Sequence, residues 1–552
     1  MLLALGLRLW GIGFGLPYRY WTEEYKVLNY ALRMGSGDLN PHFFEYPTLY
    51  LYFTLVVCGL HYIAGRALGW YHSSHDFAVS FVRDPSRLYL LARIMETLWS
   101  LALVFLTYRV AKRFFGRRAG LWSALFAAVL PHFVAISHVI KGDTAAAFFC
   151  LLALWAGLEI TEGGRLKHYL ICGLSLGLAC TIKYYAAPML LIGPTAHWLW
   201  LNKEGRGSWK SFFLSRKLWP AAAMIPLVFF MGSPYALLDW PAFWNDVRNI
   251  RSPWKTASEH IVWKDYFLVF RSWIEIAGVP RNGAPWLGPF CLGAIAWHRR
   301  ERTKHLALWL LPIAVYTAIT LPTPMVWGYM LPIFPIFLIL AGGFLENVAV
   351  SNQTIRRLVL GLAGALAAGC LAKSLLLDYG LSLKDSRTVA KEWIEVHIPA
   401  GSKILMGNYP YSPPLLQTYK QLKSLHQKAI EIKSYKEQYL KLQIEAHPGT
   451  GHGYELYTIG IPPIMVGALV HMAKEAQQMQ NLVPYDQGLD YLRQSGIQYV
   501  ITNRSDEENA KFVKNAALVS FYEQLRRDAK LLNAVTPDSR WAVGPAIFIF
   551  QL

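Results

Sequence analysis

Carboxylate side chains that could act as a general base stand in two places in this sequence. Glu23 and Glu24 are adjacent near the start of a polar segment, and Asp143 lies in a short polar stretch between two apolar ones. Successive helical residues point about 100° apart, so the two glutamates are expected to have different tasks. Structural alternatives stay open, because the glutamates can stabilise the start of a surface helix capped by Thr22, and Asp143 can cap the next helix or pair with Lys141.

Basic side chains near the ends of apolar stretches are candidates for holding a phosphate. Lys183 lies at the junction of two such stretches, where snorkelling toward the interface is the alternative to phosphate binding. Arg93 and Glu96 are three residues apart inside an apolar stretch, as expected for a neutralising pair that faces the interior of a helix bundle. The sequence contains no Walker loop and no dinucleotide fingerprint, so it offers no cradle for a soluble nucleotide donor.

The composition places most of the chain in lipid. Of 552 residues, 54% are hydrophobic and 16% are charged, and the mean hydropathy is +0.26, which exceeds what soluble cores need. The net charge of +19 comes largely from short loops such as 112–118 and 298–302, and the positive-inside rule explains it better than a nucleic-acid partner does. All six cysteines lie in apolar stretches, so neither a disulfide framework nor a cysteine metal site is expected.

The topology follows from keeping the basic loops on one side of the membrane. Segment 46–68, which carries His61 and Arg66, is predicted to be an interfacial or re-entrant helix, leaving about 11 spanning helices. Met1 to Leu16 is predicted to be a short first membrane helix rather than a signal peptide, and its shortness leaves a truncated start open. The candidate stretches are 1–16, 46–68, 87–110, 119–137, 144–160, 168–182, 185–201, 219–238, 285–297, 305–321, 328–346 and 356–377.

Two domains are predicted from the change in composition near residue 378. Residues 1–378 form a helical membrane domain with a first external loop at 17–86, and residues 379–552 form a soluble α/β domain on the non-cytoplasmic side. In that domain we predict a helix over 387–396, a strand over 402–406, a polar helix over 431–443, a helix-then-strand unit over 489–502 and a closing strand over 544–550. Chemistry is therefore expected on the outer face.

A set of short motifs, in their order along the chain, resembles the GT-C glycosyltransferases of the dolichyl-phosphate-mannose protein mannosyltransferase type, to which the lipid A aminoarabinose transferase is related. The resemblance covers most of the membrane part and extends weakly into the outer domain. Its motifs are Leu9–Pro17, the pair Glu23–Glu24, Gly37–Pro41, Tyr46–Pro47, Ser137–His138 with Asp143, Lys183–Tyr184, Tyr329–Pro335, Asp385–Arg387, Glu392–Ile394 and Tyr499–Ile501.

The resemblance implies a catalytic acid in the first external loop, where the family has an Asp-Glu pair and this chain has Glu23 and Glu24. The added methylene can displace a base from its working position, so a difference from the family in activity or substrate stays open. Asp143 is the third catalytic candidate. An arginine that often accompanies the family's tyrosine is Gly328 here, which weakens the expected phosphate site.

The remaining site residues follow from the same resemblance. The donor phosphate is expected to be bound by Lys183, Tyr329 and Arg93, and the substrate by Glu45, His138 and Lys141. The implied partners are a polyprenyl-phosphate sugar, membrane lipids and a protein, lipid or glycan acceptor, with no nucleic acid.

The implied reaction is inverting transfer of a hexosyl or pentosyl group to an acceptor hydroxyl on the outer face of a bacterial-type cell membrane, in protein glycosylation or the cell envelope. No cofactor is called for, and a divalent metal stays open. Two rival functions also stay open. One is a transporter or flippase of a lipid-linked substrate, although the sequence has no paired broken helices in two matching halves. The other is a non-catalytic membrane receptor.

Overall fold

The fold is taken from a computed structural model that describes most of the chain. The described residues are 1–250, 287–300, 305–320, 327–348, 353–407, 410–434, 436–459, 481–512, 515–537 and 543–552. The chain divides into two compact units, one made of residues 1–10, 26–58 and 91–378 and the other of residues 11–25, 59–90 and 379–552. Parts of the segment 17–86 therefore belong to the second unit.

Helices dominate the chain up to residue 382. In order they are Leu2–Leu9, Thr22–Met34, Leu49–Ala67, Ser74–Arg83, Ser86–Phe115, Arg117–Val129, Pro131–Ser137, Asp143–Gly163, Leu166–Ile182, Ile192–Lys203, Trp209–Phe213, Leu218–Gly232, Tyr235–Leu238, Trp240–Ile250, Leu287–Arg300, Leu306–Thr320, Phe334–Val348 and Gln353–Ser382, with 3-10 helices at Tyr184–Leu191 and Trp327–Ile333.

Several of these helices suit a membrane by length and composition. Among the described residues five are long and apolar enough to cross, or six if the bent pair Arg117–Val129 and Pro131–Ser137 is one span. Three shorter apolar helices accompany them. Leu49–Ala67 is one of the five, so its predicted interfacial placement does not follow from its length and stays a prediction.

The first helix is shorter than the sequence pattern suggests. A helix over 1–16 is wrong in extent, because the helix ends at Leu9 and residues 10–18 form turns. Gly11 and Gly15 adopt φ of 80° and 71°, a left-handed region that glycine enters at little cost. These glycines end the helix despite the continuing apolar sequence.

Arg8 shows why a charge is tolerated in this helix. Its side chain is fully buried and donates to the Ser100 hydroxyl at 2.7 Å and to the carbonyls of Ala127 and Ala128 at 3.1 and 3.0 Å. The helix that carries these alanines bends by 56° at its break, where Pro131 has no N–H to donate to the carbonyl four residues before it. Arg8 therefore donates to the Ala127 carbonyl, which cannot receive a hydrogen bond from Pro131.

The C-terminal part forms a six-stranded mixed sheet with the order β3-β2-β1-β4-β6-β5. β1 is parallel to β2 and β4, β2 is parallel to β3, and β6 is antiparallel to β4 and β5. Its elements are the helices Ser386–His397, Tyr419–Glu431, Glu437–Ala446, Gly488–Gln494, Arg504–Phe512 and Ala516–Asp528, and the strands β1 Lys403–Met406, β2 Glu455–Ile459, β3 Leu482–Val483, β4 Tyr499–Asn503, β5 Lys530–Val535 and β6 Ile547–Gln551. The predicted α/β character is confirmed.

Apolar clusters cover both faces of this sheet. Leu405 and Val500 pack with Phe521 and Leu525 on one face, and Ile404 and its neighbours pack with the helix Ser386–His397 on the other. The alternation of neighbouring residues in β1 between the two clusters is the period of two that a strand imposes. The predicted helix over 431–443 is wrong in extent, because one helix ends at Glu431 and the next begins at Glu437; Lys433, between them, has a φ of 52°.

Candidate active site

Asp143 is the centre of a buried ionic cluster. It begins the helix Asp143–Gly163 and is 1% exposed. Its Oδ1 lies 3.4 Å from the ammonium of Lys183, and its Oδ2 lies 3.5 Å from the ammonium of Lys141. Lys183 is the residue that follows the helix Leu166–Ile182. Tyr185 donates its hydroxyl to Oδ1 at 3.0 Å. Two lysines therefore share one carboxylate where two helices meet.

A second buried carboxylate, Glu96, contacts the turn that precedes Asp143. Glu96 is fully buried and accepts hydrogen bonds from the Tyr50 and Thr144 hydroxyls and, at 3.2 Å, from the N–H of Gly142. Gly142 has a φ of 78°, and a Cβ there would come within 2.8 Å of the Tyr50 ring. The turn before Asp143 thus requires glycine, and Glu96 holds it in place.

The segment 39–48 contacts this region of the first unit. The Lys183 ammonium lies 4.2 Å from the centre of the Tyr46 ring, within the range of a cation–π contact. Tyr184 donates its hydroxyl to the Phe44 carbonyl at 3.0 Å. The loop therefore contacts the lysine that binds Asp143.

Asp246 makes a further contact with the same segment. It accepts the Phe44 N–H at 2.8 Å. Burial raises the pKa of Asp246, and the nearby carboxylates of Glu45 and Asp239 raise that pKa further. Glu45 itself pairs with Lys26 at 3.2 Å, so the predicted substrate-binding glutamate has an ammonium partner in the same unit.

Glu23 and Glu24 lie in the first turn of the helix Thr22–Met34. Glu24 is 1% exposed, whereas Glu23 is partly exposed. Both belong to the second unit and Asp143 to the first. Acidic side chains in a first turn are stabilised by the helix dipole, so the structural role considered from sequence fits their position.

Residues just before these glutamates pack on the helix that opens the C-terminal domain. The Arg387 guanidinium lies 3.8 Å above the Tyr20 ring and binds Asp385 at 2.7 Å, while the Tyr20 hydroxyl hydrogen-bonds Thr388 at 2.7 Å. Burial raises the pKa of Tyr20, so the phenol stays protonated. These contacts hold the chain segment that leads into Glu23.

Three further predicted site residues have other surroundings. His138 is buried, with Nδ1 2.7 Å from the Val134 carbonyl and Nε2 2.9 Å from the Trp10 carbonyl, so its substrate-binding role stays a prediction. Arg93 is 2% exposed. Tyr329 lies in the 3-10 helix Trp327–Ile333, and its side chain lies outside the described residues.

Sequence reasoning found Asp143, Lys141 and Lys183 but missed the hydroxyl groups around them. Tyr50, Thr144 and Tyr185 are unremarkable in sequence, and only the fold brings them to the two carboxylates. The hydrogen bonds to Glu96 described above come from neutral donors, and its predicted pairing with Arg93 stays a prediction. The signal for Glu96 was its position as a carboxyl group inside an apolar helix.

A metal site was left open by the sequence. Within the described parts of the chain, no three His, Cys, Asp or Glu side chains gather as metal ligands would. The Asp143 cluster is made of carboxylate, ammonium and phenol groups, and ammonium groups do not coordinate metals. This cluster does not fit a metal.

Comparison with known proteins agrees with the sequence resemblance. Residues 89–234 match the family model described as dolichyl-phosphate-mannose-protein mannosyltransferase. That segment contains Arg93, Glu96, Asp143 and Lys183. No curated protein matches the chain.

Three solved structures are similar to the chain at low identity. ArnT from Cupriavidus metallidurans in the apo state has 16% identity and a TM-score of 0.48, covering 99% of this chain and 97% of that one. The same protein bound to undecaprenyl phosphate has 15% identity and a TM-score of 0.49, covering 99% and 96%. AglB from Archaeoglobus fulgidus, an archaeal oligosaccharyltransferase in complex with an inhibitory peptide and a dolichol-phosphate, has 12% identity and a TM-score of 0.47, covering 98% and 74%.

The helices and the buried ionic cluster define the class as an integral membrane protein with a C-terminal α/β domain. Residues 89–234 are similar to the dolichyl-phosphate-mannose-protein mannosyltransferase family, as the sequence resemblance indicated.

Proposed function

We propose that the chain transfers a sugar from a polyprenyl-phosphate donor to an acceptor hydroxyl on the outer face of the membrane, with inversion at the anomeric carbon. The observation that carries this proposal is the buried cluster in which Lys141 and Lys183 share the single carboxylate of Asp143. Two ammonium groups held beside each other by one carboxylate are the kind of group that binds a phosphate.

In this proposal Asp143 positions the two lysines rather than acting as the base. A carboxylate with two ammonium groups within 3.5 Å is held in its ionised form, which lowers its ability to take a proton from an acceptor. Its contribution is to fix where the ammonium groups point. Arg93 and Tyr329 remain further candidates for the phosphate.

The base is proposed to be one of the acids of the helix Thr22–Met34. Glu23 is the first choice because it is the more exposed of the two, and Glu24, which is buried, is the second. The acceptor oxygen bonds to the anomeric carbon as its proton passes to the glutamate. The bond from that carbon to the phosphate oxygen breaks, and its electron pair leaves on the lipid phosphate, whose charge the lysines stabilise.

The test is transfer of radiolabelled sugar from polyprenyl-phosphate donors by the purified protein in lipid. We expect activity in the wild type, loss of about 100-fold or more in Lys183→Gln and Glu23→Gln, and full activity in Lys203→Gln, whose lysine pairs with Glu162. NMR of the product gives the configuration at the anomeric carbon and so tests inversion. Absence of transfer from every polyprenyl-phosphate sugar, or equal activity of Lys183→Gln and wild type, contradicts the proposal.

A further inference from the structure

A cavity lies in the C-terminal domain, in a part of the chain to which the proposed reaction assigns no role. It is about 360 Å³ in volume and is walled by the helices Arg504–Phe512 and Ala516–Asp528 and by the strand β6. Sites for small molecules are typically about 300–1,000 Å³. The cavity is thus large enough for a ligand of modest size.

The charges around this cavity balance. Its lining carries three cations and three carboxylates: Arg504, Lys511, Arg526, Glu507, Glu508 and Glu523. An anionic ligand such as a phosphate gains no net attraction from such a set, and a purely apolar ligand would leave charged groups without water or partners. A ligand that both donates and accepts hydrogen bonds and carries no charge is the chemistry that fits.

Ion pairs already fix the orientation of these groups. The Arg526 guanidinium donates to Glu507 at 2.6 Å, and Arg504 donates to Glu508 at 2.9 Å. Arg526 also lies 4.8 Å from the centre of the Phe548 ring. Each pair leaves further guanidinium N–H groups and carboxylate lone pairs for a ligand.

Tyr522 adds a neutral polar group to an apolar side of the cavity. Its ring lines the cavity with Val519 and Phe548, and it is 4% exposed. The hydroxyl has no hydrogen-bond partner among the described residues, and a buried unsatisfied hydroxyl costs stability until a partner arrives. Burial and the nearby acids Asp506 and Glu507 raise the pKa of Tyr522, which keeps the proton available for donation.

From these features we infer that this cavity binds a neutral saccharide. Every sugar hydroxyl donates and accepts at once, which matches the paired arginines and glutamates of the lining, while the carbon-bound hydrogens of the ring can contact Val519 and Phe548. The site gives the C-terminal domain a recognition role of its own. It stands independently of the proposed transfer reaction.

Binding is tested with the full-length protein in lipid nanodiscs and no donor present. Saturation-transfer NMR and calorimetry are run with methyl α-mannoside, methyl β-glucoside and methyl β-galactoside, and with inorganic phosphate and glucuronate as anionic probes. We expect at least one neutral glycoside to bind and neither anion to bind more tightly. Saturation should be transferred to protons of the sugar ring.

Variants locate that binding. Arg526→Gln and Tyr522→Phe are each expected to weaken it by about tenfold, the effect of losing one hydrogen bond to the ligand. Arg493→Gln is the matched control, because Arg493 also pairs with an acid at 2.8 Å, Asp490, in the same domain, and it should leave affinity unchanged. Tyr522→Phe keeps the ring and carries the test if Arg526→Gln does not fold.

Three results would overturn the inference: no binding of any neutral glycoside, tighter binding of phosphate or glucuronate, or equal affinity of wild type, Tyr522→Phe and Arg526→Gln. Lys183→Gln should bind the glycoside like wild type, which separates this cavity from the cluster around Asp143. Failure of sugar transfer would leave the binding result intact, so the two proposals fail separately.

Discussion

Neutralising Asp143 should destabilise the protein more than neutralising either of its lysines. The side chains of Asp143 and Lys183 are 1% and 8% exposed and lie 3.4 Å apart. Asp143→Asn removes the shared carboxylate from both ammonium groups, whereas Lys183→Gln leaves Asp143 with Lys141 at 3.5 Å. Removing one partner of a buried ion pair costs about 3–5 kcal/mol, and we expect Asp143→Asn to lie in that range and Lys183→Gln below it.

The chain contains a matched control for this experiment. Lys203 and Glu162 also lie 3.4 Å apart, but their side chains are 49% and 35% exposed. Exposed pairs contribute about 0–1 kcal/mol. Distance is therefore held constant while burial changes, and the comparison isolates the effect of removing water.

The assay is a double-mutant cycle on each pair, with unfolding free energies measured by denaturant titration of the purified protein in mixed micelles. The Asp143→Asn/Lys183→Gln cycle should show a coupling of about 2 kcal/mol or more, and the Glu162→Gln/Lys203→Gln cycle about 0.5 kcal/mol or less. Additive effects in the buried cycle, or a larger loss from Lys183→Gln than from Asp143→Asn, would refute the assignment of Asp143 as the residue that holds both lysines.

Three other predictions concern the structure around the site. Gly142→Ala should lower the free energy of unfolding by roughly 1–2 kcal/mol or more, because its φ is 78° and the new Cβ meets the Tyr50 ring at 2.8 Å; Gly361→Ala, where a Cβ meets nothing within 4 Å, should be neutral or stabilising in the same thermal unfolding assay. Arg8→Met should cost about 3 kcal/mol or more, because several buried carbonyls lose their donor at once, and a melting temperature equal to that of wild type would contradict this. Asp246→Asn should stabilise the protein at pH 7, because the raised pKa of Asp246 means that its ionisation disfavours the folded state as pH rises above the unfolded value of about 3.9; the gain should vanish below that pH, and a gain that persists there would point to another cause.

Much of the C-terminal domain can be read from sequence because its periodic patterns are local. The strand predicted over 402–406 is found as Lys403–Met406, and the helix predicted over 387–396 is found as Ser386–His397 with Asp385 as its cap. Predictions failed where backbone conformation rather than polarity decides the outcome. Residues 10–16 stay apolar but turn at glycines, and the break at Lys433 interrupts a polar pattern that looks continuous.

The residues of the candidate site also differ in how well the sequence predicts them. Asp143 and Lys183 are recognisable because a charge beside an apolar stretch is costly and therefore informative. Tyr50 and Tyr185 carry no such signal, since aromatic residues are common throughout membrane proteins. Their roles depend on contacts between residues 42 to 46 positions apart, and such contacts follow from helix packing rather than from any local pattern.

The buried Arg8 has a consequence for the order in which the chain is assembled. Its partners, at residues 100, 127 and 128, leave the ribosome long after Arg8 does. Until they arrive the guanidinium must stay hydrated or reach the headgroup region, because an isolated arginine in hydrocarbon is costly. Segment Leu2–Leu9 should therefore reach its final depth only after the helix Arg117–Val129 has been inserted. Its docking would then mark the completion of the early part of the helix bundle.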